Sequence, residues 1–205
     1  MLKLTVFSVK CCYLINITDL LTNISDSVSN NPQFVRLIRT RLNVSKIIFS
    51  SDRVTQLYHL TSLTVFSSIT SLPDSIGQFT QLANLVICCN ENLTSLPDSI
   101  GQLTKLTDLN ISSNYSLTSL PDSIGQLTKL TDLNLSWNSS LTSLPVSLNN
   151  ISTLEKLDCG GCDALTSPPY SVCKQGIKAV RRFLKDLQLE RGQNQKLIPI
   201  TVIGK

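Results

Sequence analysis

The chain of 205 residues holds one histidine, His59. Acid–base and nucleophilic catalysis most often recruit an imidazole beside a serine, cysteine or carboxylate. No Ser-His-Asp or Cys-His arrangement can be built around His59. Cys159-x-x-Cys162 has the spacing of half a zinc site, but zinc needs two more ligands at suitable spacing and none follows. Asp74, Asp98 and Asp122 recur directly after a proline, which makes them helix-start residues before they are acids. The sequence therefore points to no catalytic residue, no metal and no cofactor.

Those acids sit inside a unit that returns every 24 residues. A Leu-Pro pair marks it at Leu72-Pro73, Leu96-Pro97, Leu120-Pro121 and Leu144-Pro145, and an altered copy begins at Ser167-Pro168. Residues 95–118 recur almost letter for letter at 119–142. Such a period predicts a solenoid whose units pack only on their neighbours. Within one unit, Leu109 and Ile111 alternate with Asn110 and Ser112, the pattern of a half-buried strand. Each strand returns to the same place after a full unit, so neighbours must run parallel, joined by the long remainder of the repeat. Ile100, Leu103 and Leu106 predict a short helix or 3₁₀ turn on the convex side, stopped early by Gly101.

Asn90, Asn114, Asn138 and Cys162 share one column at the exit of the strands. An amide there satisfies backbone groups that the bend would leave buried and unpaired. These four residues are read as a structural ladder, and Cys159 takes the place that Leu135 holds one unit earlier.

The candidate binding surface is the polar side of the strands, the concave face. Phe66, Asp108, Asp132 and Trp137 are the residues on it with recognition chemistry, the acids lying one position before the strand proper. Trp137, the one tryptophan, has two readings: an anchor for a partner, since exposed aromatics suit interface centres, or a cover for the adjacent turn. The partner class is protein.

Composition narrows the alternatives. Hydrophobic residues make up 41% and charged residues 16%, with net charge +4. The repeats supply no basic face with aromatics, which excludes nucleic acid as the expected partner. Seven cysteines, including the adjacent pairs Cys11-Cys12 and Cys88-Cys89, form no convincing disulfide frame and point to a reducing compartment, hence the cytoplasm. Nine Asn-x-Ser/Thr triplets argue the other way, toward a secreted recognition protein, yet the repeat itself generates most of them. Lys10 interrupts the apolar opening, and no run reaches the ~18 apolar residues of a membrane span.

Along the chain, residues 1–59 read as degenerate repeats with a small basic cluster at Arg36, Arg39, Arg41 and Lys46. Residues 60–170 are the regular array. In 171–190, Ile177, Val180, Phe183, Leu184 and Leu187 recur at helical spacing, with Lys178, Arg181, Arg182 and Lys185 on the other face. A helix there would cap the open end of the stack; a basic membrane-surface helix is the sharper alternative. Residues 191–205 read as a polar linker running into the apolar stretch IPITVIGK.

The columns Leu106-x-x-Leu109-x-Ile111-x-x-Asn114 resemble leucine-rich repeats, and the Leu-Thr-Ser-Leu-Pro form is similar to the repeats of plant intracellular immune receptors. The resemblance implies an α/β horseshoe solenoid with a parallel concave sheet and a C-terminal capping helix. It also implies a non-catalytic interaction scaffold in signalling. SPPYSVCKQGIKAVRRFLKDL resembles the cap that follows the repeats in Roco-type proteins, and IPITVIGK resembles the strand that leads into their GTPase phosphate loop, with Gly204 as its first glycine. That second resemblance implies the repeat arm of a GTPase whose nucleotide site lies beyond Lys205.

Overall fold

The computed structural model describes residues 41–44, 61–66 and 69–195. The echo of the repeat at Leu4–Ser8, the basic residues Arg36, Arg39 and Lys46, and the stretch 196–205 lie outside the described residues.

Among the described residues, six strands form one sheet in sequence order: β1 (Arg41–Val44), β2 (Ser62–Phe66), β3 (Asn84–Cys88), β4 (Asp108–Asn110), β5 (Asp132–Asn134) and β6 (Lys156–Asp158). Every neighbouring pair is parallel, as the repeat requires. Leu63, Leu85, Leu109, Leu133 and Leu157 stand side by side across the sheet. Period-two alternation sends the first four of these leucines into the core, fully buried. Leu157 is half-buried, because β6 is the sheet's last strand. Hydrogen bonding continues past the strands, Ile111 N–H to Asn134 O and Ser113 N–H to Ser136 O, both at 2.8 Å.

The return path of each coil is a 3₁₀ turn: Asp74–Gln78, Asp98–Gln102, Asp122–Gln126 and Val146–Asn150. A proline precedes each, and the first turn bond closes on its carbonyl, Ile100 N–H to Pro97 O at 3.1 Å. No side chain caps these turns, so Asp98 serves only as an exposed charge in the first turn. The expectation that Gly101 stops the turn is corrected. The turn runs through Gln102, and Gly101 is buried inside it. A Cβ on Gly101 would stand 2.5 Å from the Ser123 carbonyl oxygen, so glycine is needed for the close approach of the next coil. The hydroxyls of Ser99, at the matching contact with Gly77, and of Ser123 are buried without a hydrogen-bond partner among the described residues.

Between sheet and turns, Leu82, Ile100, Leu103, Leu106, Leu130 and their repeats fill a single continuous core. After β6 the pattern changes. A short helix, α1 (Tyr170–Cys173), replaces the 3₁₀ turn, Gly176 turns the chain at φ 88°, and α2 (Ile177–Gln195) follows. Val180 and Leu184 of α2 are fully buried, with Ile177 and Phe183 packed beside them. The helix reaches Gln195, into the stretch read as linker. Arg181 does not face solvent with the other basic residues. Its guanidinium donates to the carbonyls of Ile151, Ser152 and Leu154 at 2.6, 3.1 and 3.0 Å.

Candidate functional site

The concave face is built from two columns of polar strand positions. The first runs Ser62, Asn84, Asp108, Asp132, Lys156. Asp108 and Asp132 thus open their strands instead of preceding them, and they share the outward side with Asn110 and Asn134. Each accepts a hydrogen bond from the preceding threonine, Thr107 to Asp108 at 2.7 Å and Thr131 to Asp132 at 2.8 Å. Asp132 also pairs with Lys156 at 2.7 Å. The Lys156 ammonium, with help from the Thr131 hydroxyl, holds the Asp132 carboxyl below its usual range; reciprocally, Asp132 holds Lys156 above its own. Lys156 is the residue missed in the sequence. Its signal was there, since it stands 24 residues after Asp132.

The second column, Asn110, Asn134 and Asp158, is committed to the backbone. Each side-chain oxygen accepts from the N–H two residues on, at Ser112, Ser136 and Gly160, all at 2.9 Å. These Asx turns start the bend that leaves the strand. The bend then passes through positive φ at Cys89, Ser113, Trp137 and Gly161. Gly161 has a second reason to be glycine: its absent Cβ would stand 2.9 Å from the Trp137 indole.

Trp137 therefore lies over the turn of the next coil and still exposes 60% of its surface. Both sequence readings describe part of its environment. Phe66 ends β2 opposite Cys88, while its side chain lies outside the described residues. Cys88, on the same face, is nearly buried; burial, with Cys89 beside it, pushes its thiol up to about 12, so it stays protonated. A groove of about 550 Å³ follows the sheet from Asn84 to Asp158 and ends against Gly176 and Ile177 of the cap.

Behind this face runs the ladder. Asn114 Oδ1 accepts from Asn90 N–H at 3.0 Å, and its Nδ2 donates to Ile87 O and Ile111 O at 2.8 and 2.7 Å. Asn138 repeats the pattern one coil on, with Asn114 N–H, Ile111 O and Leu135 O. Cys162 closes it with one sulfur, donating to Leu135 O at 3.1 Å and accepting from Asn138 N–H. Asn90 donates to Cys88 O, and its Oδ1 has no partner among the described residues. All these residues are buried.

Chemically the face can present charge, the Trp137 ring and small polar groups. The described residues contain no group of three or more metal-ligating side chains and no helix long and apolar enough to cross a membrane.

A family profile described as a leucine-rich repeat region matches residues 28–190. The chain is similar to a leucine-rich repeat protein of Leptospira interrogans, at 22% identity over 71% of this chain and 58% of that one, TM-score 0.43. It is similar to the leucine-rich repeat domain of the type III effector XopL, at 22% identity over 78% and 75%, TM-score 0.47. It is also similar to an internalin of Listeria monocytogenes, at 19% identity over 62% and 46%, TM-score 0.36. The chain thus spans little more than half the length of the Leptospira protein. No curated protein matches it. With a profile match across most of its length and the ladder in place, the chain belongs to the leucine-rich repeat family.

Proposed function

We propose that this chain is a non-catalytic protein-interaction scaffold, working in cytoplasmic signalling, which holds its protein partner on the concave face. The observation that carries this reading is Trp137, 60% exposed at the exit of a strand that opens with Asp132, on an otherwise small, polar face. A ring fixed over Gly161 is already ordered, so a partner that covers it loses little side-chain entropy. The test is affinity capture from cell lysate with three baits. Wild type and the convex control Asp98→Asn should hold the same protein. The pair Trp137→Ser with Asp108→Asn should lose it. Equal capture by all three baits would remove the concave face from the reading.

A second reading, the repeat arm of a Roco-type GTPase, is favoured by one observation. The stretch that carries the resemblance folds as α1, the Gly176 turn and α2, a cap on the array. Sequencing the transcript past Lys205 tests it: a phosphate loop supports the reading and a stop codon sinks it. The secreted alternative is disfavoured at two triplets, because the Asn114 and Asn138 amides are buried and donate inside the ladder, where a glycan cannot be added without breaking it.

A further inference from the structure

The concave groove has the opposite sign to the chain that carries it. Asp108, Asp132, Glu155 and Asp158 line it against one base, Lys156, whereas the whole chain has net charge +4. Lys156 shows what this face accepts. Its ammonium sits 2.7 Å from Asp132 Oδ1, while Asp132 Oδ2 takes the Thr131 hydroxyl. Asp108 is built the same way, with the Thr107 hydroxyl on Oδ2 at 2.7 Å. One coil on from Asp108, however, stands Asp132 and not a lysine. Asp108 thus has the same receptor for a cation and no side chain to fill it, since Asp132–Lys156 is the one ion pair among the described residues.

A second unfilled acid stands next to the Trp137 backbone. Asp158 Oδ1 accepts from Gly160 N–H at 2.9 Å, and Gly160 O accepts from Trp137 N–H at 2.6 Å. Asp158 is exposed, and the Trp137 ring lies over the adjoining Gly161. The second acid lies two strands from Asp108 and two residues further along, a diagonal of roughly 12 Å. An extended chain covers that distance in about three or four residues.

Resting on the reading that the concave face holds a protein partner, we propose that this partner presents an extended basic segment. It carries two cationic residues about three or four positions apart. The first pairs with Asp108 as Lys156 pairs with Asp132. The second is an arginine, held between the Asp158 carboxylate and the Trp137 ring. Arginine suits that place because its planar guanidinium pairs with a carboxylate and stacks on an indole, which an ammonium does less well. Charge complementarity selects this occupant: an acidic segment would meet four carboxylates and a lysine that is already paired.

The test selects phage-displayed random linear peptides on the whole chain. The most enriched peptide is synthesised with a fluorescein label and titrated by anisotropy. It should carry two Lys or Arg at the stated spacing. Three variants read the site, and the array itself supplies each replacement. Asp108→Asn takes the residue of Asn84, and Trp137→Ser takes that of Ser113. Asp158→Asn takes that of Asn110 and Asn134, which keep the same turn bond without the charge. Each should weaken binding roughly 2–5-fold, and the two aspartate changes together about tenfold. Asp98→Asn, on the convex side, should bind as wild type does. A selected peptide without basic residues would overturn the basic partner, and so would an empty selection. If Trp137→Ser loses the peptide while the double aspartate variant binds as wild type, the basic partner fails and the concave face stands. Binding untouched in all three variants removes the face as well. Dimerisation of the wild type that Asp108→Asn abolishes, with no basic peptide selected, would give the face to a second copy and overturn the proposal.

Discussion

In the coil around Leu106, the carbonyl of Ala83 accepts from the N–H groups of Thr107 and Asp108; one coil on, Thr107 O accepts from Thr131 and Asp132. In the last coil, the carbonyls of Ile151 and Leu154 look toward a position where no further repeat stands, and the Arg181 guanidinium fills it. The ladder changes in the same way. Asn138 uses an oxygen and a nitrogen where Cys162 uses one sulfur. Interior coils satisfy one another by repetition, so any one of them can be understood from its neighbour. The terminal coil must satisfy itself with side chains that have no counterpart earlier in the array.

The comparison can be broken from either side. The largest effect should come from Leu109→Ala, which opens a cavity in the middle of a core that runs through every coil. The expected loss is roughly 2–5 kcal/mol, read by chemical denaturation. Asn114→Ala should cost roughly 1–3 kcal/mol by stranding Asn90 N–H and removing the amide donor to Ile87 O. Melting curves equal to wild type would remove the ladder as a stabilising device. The smallest effect concerns the concave face. Asp132 titrates low in the folded chain, so its pairing contributes fully above the unfolded carboxyl value and is lost as pH falls through the folded one. In Lys156→Met the Asp132 titration followed by NMR should move up; an unchanged midpoint would mean that the pair is absent in solution.

Much of this was legible before any coordinates. A strict 24-residue step fixes which residues share a column, and apolar alternation fixes which side of a strand faces the core. That is why the Leu63–Leu133 row and the Asn column could be placed from sequence. What could not be read is whatever depends on a neighbour out of register. Helical spacing put Arg181 on a polar face, but its partners are carbonyls some thirty residues upstream. Gly101 reads as a stop in the sequence; its actual constraint is the Ser123 carbonyl of the next coil. Asn110 and Asn134 were rightly on the exposed side of their strands, yet their oxygens are spent on the following backbone. Lys156 stands one repeat step after Asp132, so the column that holds the two aspartates also reaches it.

The near-identity of residues 95–118 and 119–142 has a further consequence. Excising one of these copies would bring together two junctions that already fit, because the severed ends meet the same chemistry on either side. The array can therefore lose or gain whole coils while both ends stay intact. Each event changes the length of the concave face by about 4.8 Å and by one aspartate. The span of the binding surface is in this sense a heritable variable, adjustable in discrete steps without redesigning the fold.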